Sequence, residues 1–146
     1  MDRTRRLYAA LTYLGTLPFI GSALLMAFDI ANIPYLGAPL EVARSYGLVI
    51  VSFMAGAHWG QQIALKAATP INLHITSVFT SLCAWISHLL LPDRAFMVVL
   101  IVLFAGLLAF DVRLHRHGVI DRHYLKIRCG VTGIVITALF VTTLSA

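Results

Sequence analysis

The chain is 146 residues long, 60% hydrophobic and only 12% charged, with a mean hydropathy of +0.88. A water-soluble domain is about a quarter charged, so that class is excluded. The net charge of +5 does not point to nucleic acid, because the basic residues fall between apolar runs and form no stripe.

The apolar runs have the length of membrane spans. They predict one all-α integral membrane domain, a bundle of five transmembrane helices. Span one is placed at 7–28. Arg3, Arg5 and Arg6 precede it as in a signal sequence. The run is nevertheless long enough to cross, and Pro18 breaks its centre, so it is read as an uncleaved, kinked span. Thr12, Thr16 and Ser22 can bond the carbonyls that the kink frees. The connection at 29–41 is stopped by Pro34, Gly37 and Pro39.

Span two, at 42–65, is the most informative. At roughly 100° per residue, Ser45, Ser52, Gly56 and Gly60 share one narrow face. This small-residue ridge has the spacing of close helix pairs in lipid. Gly47, Met54, His58 and Gln61 lie roughly opposite. An unpaired imidazole or amide in hydrocarbon costs several kcal/mol. Span two is therefore expected at the centre of the bundle, with its ridge packed on one side and His58 facing inward on the other.

A turn at 66–72 leads to span three, at 73–91. His74, Ser77, Ser81, Ala84 and His88 recur at threes and fours, with Thr76, Thr80 and Ser87 on the adjacent strip. That face is expected to point inward. Pro92, Asp93 and Arg94 make a tight turn. Span four, at 95–110, has no polar side chain and is expected to be the most lipid-exposed and peripheral. Residues 111–123 are the longest polar segment and read as a basic loop facing headgroups. Span five is placed at 124–144, with Lys126 and Arg128 snorkelling to the interface.

Orientation follows from the basic residues. With the N-terminus cytoplasmic, Arg3, Arg5, Arg6, Lys66, Arg113, Arg116, Arg122, Lys126 and Arg128 lie inside, against Arg44 and Arg94 outside. The C-terminus is then outside. Cys83 and Cys129 fall at different depths and form no CxxC, so they read as small buried hydrophobes.

Depth limits which polar groups can meet. His58 lies roughly 10 Å inside the membrane, level with Gly15, Thr16, Thr80, Ser81 and Thr132. A bond from His58 to a hydroxyl of span three or five is expected. His58, Trp59, Gln61, Ser77, Thr80 and Ser81 form the candidate ligand-binding set, with Trp59 able to stack on an apolar ring such as a quinone. A bis-histidine haem needs two histidines at one level. His74 is roughly 9 Å shallower than His58 and His88 roughly 12 Å deeper. No cofactor is therefore expected, with haem and quinone as the alternatives. At the outer edge, Asp29, Arg44, His88 and Arg94, with Glu41 and Asp93, are candidates for ion pairs such as Asp29 with Arg44 or Arg94. His115, His117 and His123, near Asp111 and Asp121, are weak metal candidates. Zinc accepts nitrogen and carboxylate ligands, but the spacing matches no metal motif, so no metal is expected.

The chain resembles a family of small membrane proteins without an assigned activity, domain of unknown function 3429, which includes transmembrane protein 69. The likeness is carried by Tyr13, Gly15, Pro18 and Phe19, and by Ser45, Tyr46 and Gly47. Ser52, Phe53, Gly56, His58, Trp59 and Gly60 are its most specific part. Gly118, Val119 and Ile120, followed by Tyr124, Leu125 and Arg128, complete it. The resemblance implies a multi-pass protein of the bacterial inner membrane, or of the mitochondrial inner membrane in a eukaryote, and supplies no reaction.

No catalytic motif is present. The leading expectation is a non-enzymatic accessory or assembly subunit of a membrane complex. The alternatives are a binder of a small apolar or redox ligand at an intramembrane His–Trp site, and a membrane enzyme or small oligomeric transporter. A stand-alone transporter usually has paired repeats and broken helices. The expected partners are the lipid bilayer, other membrane subunits or a second copy of the chain, and no nucleic acid.

Overall fold

The computed structural model describes residues 3–65 and 69–146, with side chains from residue 6 onward. Lys66 and the side chains of Arg3 and Arg5 therefore lie outside the described residues. The described residues form six helices: α1 Arg3–Leu14, α2 Leu17–Ala27, α3 Pro39–Leu65, α4 Leu73–Leu90, α5 Asp93–Arg116 and α6 Arg122–Ser145. Counting Arg6–Ala27 as one span, five stretches among the described residues are long and apolar enough to cross a membrane. The fold is an all-α bundle.

Span one breaks at Gly15 and Thr16, ahead of Pro18. The proline stands in the first turn of α2, where its missing N–H leaves no helical bond unmade. Carbonyls around the break find other donors. Tyr46 Oη donates to Gly15 O across from α3 at 2.9 Å, and Thr16 Oγ1 donates to Tyr13 O at 2.7 Å. At the start of α4 the Asn72 side chain accepts from the backbone N–H groups of His74 and Ile75. Asp121 does the same for Tyr124 at the start of α6. Before it, Gly118 at φ +73° turns the chain back.

The helices α2, α3, α5 and α6 form a ring in which each packs on the next. Phe19, Val51, Leu100, Phe104, Leu107 and Leu139 fill its centre and are fully buried or nearly so. Phe19 stands edge-on to Phe104. Helix α4 flanks the ring against α3 and α5, and α1 leans on α6.

Two expectations about packing are corrected. Span four is not peripheral: α5 buries Phe96, Met97, Leu100, Phe104, Leu107, Asp111 and Leu114. An all-apolar helix suits a bundle centre as well as lipid, and with no polar stripe its composition does not choose between them. The ridge of α3 is also turned the other way. Gly56 and Gly60 are exposed with open space over them, and Ser45 is exposed too. The packed face is Ala43, Gly47, Val51, Ala55 and His58. Both faces of α3 are rich in small residues. The one that carries the imidazole goes inside, because leaving it in lipid costs more than leaving glycine there.

Candidate functional site

Helix α5 runs on past Phe110 to Arg116, so Asp111 is helical and buried rather than in a loop. It continues the buried phase of Phe104 and Leu107, one helical turn on. From α6, Arg128 occupies the same inner phase as Val131, Thr132 and Val135. From α3 comes His58. These residues stand five, six and seven positions from the nearest helix ends at Arg116, Arg122 and Leu65. At about 1.5 Å per residue they form one layer, roughly 8–10 Å in.

They meet as a buried triad. His58 Nε2 lies 2.8 Å from Asp111 Oδ1, and Arg128 Nε donates to Asp111 Oδ2 at 2.7 Å. Exposure is 1% for His58, 0% for Asp111 and 2% for Arg128. Each carboxylate oxygen thus takes one short bond, in the range of charge-assisted hydrogen bonds. Arg128 Nη1 donates to the Met54 sulfur at 3.5 Å, a weak acceptor. Among the described residues, three buried polar atoms here have no hydrogen-bond partner: His58 Nδ1, Arg128 Nη2 and Gln61 Oε1. Tyr124 faces Gln61 and lies near Asp111 and Arg128. Its ring stacks on Tyr8 of α1, centroids 6.0 Å apart.

Chemically, Asp111 fixes the His58 ring, and Arg128 supplies the balancing charge. A carboxylate-oriented imidazole is one half of a general base. The other half, a hydroxyl or thiol on the second ring nitrogen, is not found among the described residues. The Phe110 ring lies edge-on to His58 instead, at 6.4 Å between centroids.

The expected partners of His58 are thereby corrected. It bonds a carboxylate and no hydroxyl of span three or five. Ser77 Oγ donates to the Ala55 carbonyl at 2.6 Å and ties α4 to α3. Thr80 is buried and Ser81 half-buried on that same helix. The His–Trp pair is not assembled either. Trp59 is 41% exposed and stands edge-on to His74, centroids 4.4 Å apart, while His58 points inward. Gln61 is half-buried beside Tyr124. Arg128 does not snorkel, because Asp111 offers it an internal partner. Thr132, the residue matched to His58 by depth, is buried one turn further along α6.

The opposite end of the bundle organises around Arg44. It pairs with Asp93 at 2.8 Å and Glu41 at 3.2 Å, reaches the His88 carbonyl at 3.4 Å, and lies over the Phe96 ring. Asp29 is not its partner, and both Asp29 and Arg94 are exposed. The polar segment is much shorter than expected. His115 Nδ1 bonds the Ile120 carbonyl and His117 Nδ1 the Arg113 carbonyl, while His123 is half-buried. Among the described residues, no three His, Cys, Asp or Glu side chains converge as metal ligands. Cys83 and Cys129 are both free, and Cys129 is exposed rather than buried.

The model of the family described as "Protein of unknown function (DUF3429)" matches residues 4–144. The chain belongs to the DUF3429 family. The match takes in four spans whole, the fifth except for its last residue, and all three members of the triad. No curated protein and no solved structure matches the chain. Membership of DUF3429 therefore fixes kinship and brings no reaction with it.

Proposed function

We propose that this DUF3429 protein is a non-enzymatic accessory or assembly subunit that docks sideways on a larger membrane complex. One observation carries the reading: the small-residue ridge of α3 faces outward, with open space over Gly56 and Gly60. Such ridges let helix backbones approach closely in lipid. Exposed Val49, Phe53 and Ile63 beside it supply the knobs for a partner helix.

The membrane in this reading is the bacterial inner membrane, or the mitochondrial inner membrane in a eukaryote. The N-terminus is inside and the C-terminus outside. Because Arg128 is buried, it leaves the charge count. Nine less one gives eight basic residues inside against two outside, which supports the same orientation. No cofactor is needed. Haem at His58 is disfavoured because its Nε2 is held by Asp111.

A second reading is binding of a small apolar or redox ligand. It moves from the His–Trp pair to the triad, where Arg128 Nη2 and His58 Nδ1 are donor and acceptor without partners. A quinone carbonyl suits the first of these.

Native-gel sizing with mass spectrometry, from gently solubilised native membranes, tests the choice. The 16.0 kDa chain is expected inside a much larger assembly. Gly56→Leu with Gly60→Leu should release it while leaving its fold intact. If the wild-type chain runs alone or as a small homo-oligomer, the docking reading fails. His58→Ala then decides the rest. Normal abundance with loss of a co-purifying ligand favours the second reading.

A further inference from the structure

Along the outer surface of α5 runs a groove of about 700 Å³. Its walls are Ala105, Leu108, Ala109 and Val112 of α5, with Ile136 of α6. At one end stand Arg113, Arg116 and His117, and among the described residues no carboxylate lines it. From Ala105 to Arg116 the helix rises roughly 16 Å, about half of a bilayer's hydrocarbon core. The groove thus spans one leaflet, apolar along its length and cationic at the membrane surface.

We infer that this groove binds a phospholipid with an anionic headgroup. One acyl chain lies along Ala105, Ala109 and Val112, and the phosphate sits between the two guanidinium groups. Two features commit the site to a lipid. The cationic end is complementary to phosphate, and a planar guanidinium can take two of its oxygens. The apolar walls continue inward from those cations for roughly 10 Å, from Val112 to Ala105, which a free phosphate would not use. Basic pockets between transmembrane helices on the cytoplasmic side are a known form of anionic-lipid site. The acidic groups in the neighbouring sequence are turned elsewhere: Asp111 into the triad, and Asp121 onto the start of α6. This inference does not depend on the accessory reading.

The test uses the full chain in mild detergent. Phosphatidylglycerol and phosphatidylcholine with identical acyl chains are added in equal amounts, and the retained lipid is counted by native mass spectrometry. Each arginine at a membrane surface favours an anionic lipid roughly five-fold, so the pair predicts a preference of about 25-fold. Arg113→Gln with Arg116→Gln should abolish the preference. Ala109→Trp, which fills the groove, should lower retention of both lipids. Equal retention of the two lipids by the wild-type protein overturns the inference. So does competition by inorganic phosphate as strong as competition by the lipid, because the acyl chain would then contribute nothing. If the double variant does not fold, the wild-type preference at low and high salt decides. It should shrink as ions screen the arginines, and a salt-independent preference also overturns the site.

Discussion

Replacing Asp111 should be the most damaging single change in the chain. Its carboxylate is fully buried and makes one contact of 2.8 Å with His58 and one of 2.7 Å with Arg128. At an effective dielectric of about 20, unit charges at that 2.7 Å separation attract by roughly 6 kcal/mol. Desolvating both ions offsets most of this, so the intact pair contributes little net stability. Breaking it is different. With Asp111→Ala, Arg128 is left buried and uncompensated, and the expected loss is about 3–5 kcal/mol. A neutral interhelical hydrogen bond in a membrane averages only about 0.6 kcal/mol, so the measurement separates the two cases clearly. Asp111→Asn isolates the charge. The amide can still accept from Arg128, and the His58 ring can change tautomer to accept from the amide, yet the cation remains unpaired. It should fall nearer to Ala than to wild type. Unfolding titrations in mixed micelles supply the free energies. A loss under about 1 kcal/mol for Asp111→Ala would refute the claim that an ionised carboxylate balances Arg128.

Three smaller perturbations test other parts of the packing. A Cβ at Gly47 would sit 2.5 Å from Leu100 Cδ1, so Gly47→Ala should cost about 1–3 kcal/mol, and Leu100→Val should recover part of it in the same titration. Asn72 accepts from two backbone N–H groups, so Asn72→Ala should cost about 1 kcal/mol, read as lower thermal stability with earlier fraying of α4 in hydrogen exchange. Arg44→Ala should cost less than breaking the triad, because Asp93 is half exposed, and a cycle with Asp93→Ala should give a coupling of at most about 1 kcal/mol.

The five spans were legible because each is a predominantly apolar stretch of membrane length with few charges, and the bundle needs nothing more to be read. The site was half legible. His58 stood out as a lone imidazole in an apolar run. Asp111 did not, because it sits where an apolar run meets a cluster of charges, and one dimension offers no way to see Arg128 opposite it. The phase was available all the same: 104, 107, 111 and 114 keep to one helix face, and a loop has no reason to do so. Arg128 was misread for a similar reason. Near a helix start, snorkelling is the usual fate of an arginine, and only a buried carboxylate on another helix changes that. The ridge of α3 failed on a tie between two small-residue faces.

A charged triad in a membrane core needs a reason, since an apolar replacement of similar volume is often no less stable. The reason is visible in α5. Between Phe96 and Phe110 it has no polar side chain, so its composition gives it no preferred face toward the ring. Asp111 gives it one. Rotating α5 by one residue, about 100°, would carry the carboxylate away from Arg128 and His58 toward lipid. The triad is thus expected to fix the rotation of α5 against α3 and α6. The combined variant His58→Leu, Asp111→Leu and Arg128→Met should therefore regain most of the stability lost by Asp111→Ala, yet lose its single packing. Cysteines at Gly47→Cys and Leu100→Cys, in a background without Cys83 and Cys129, should join efficiently through a short thiol crosslinker. In the apolar triple variant that yield should fall, and crosslinks to cysteines at Ile101 or Leu103 should rise. An apolar triple variant that keeps the single 47–100 crosslink would show that the ring packs uniquely without its charges, and the triad would then need a role other than registry.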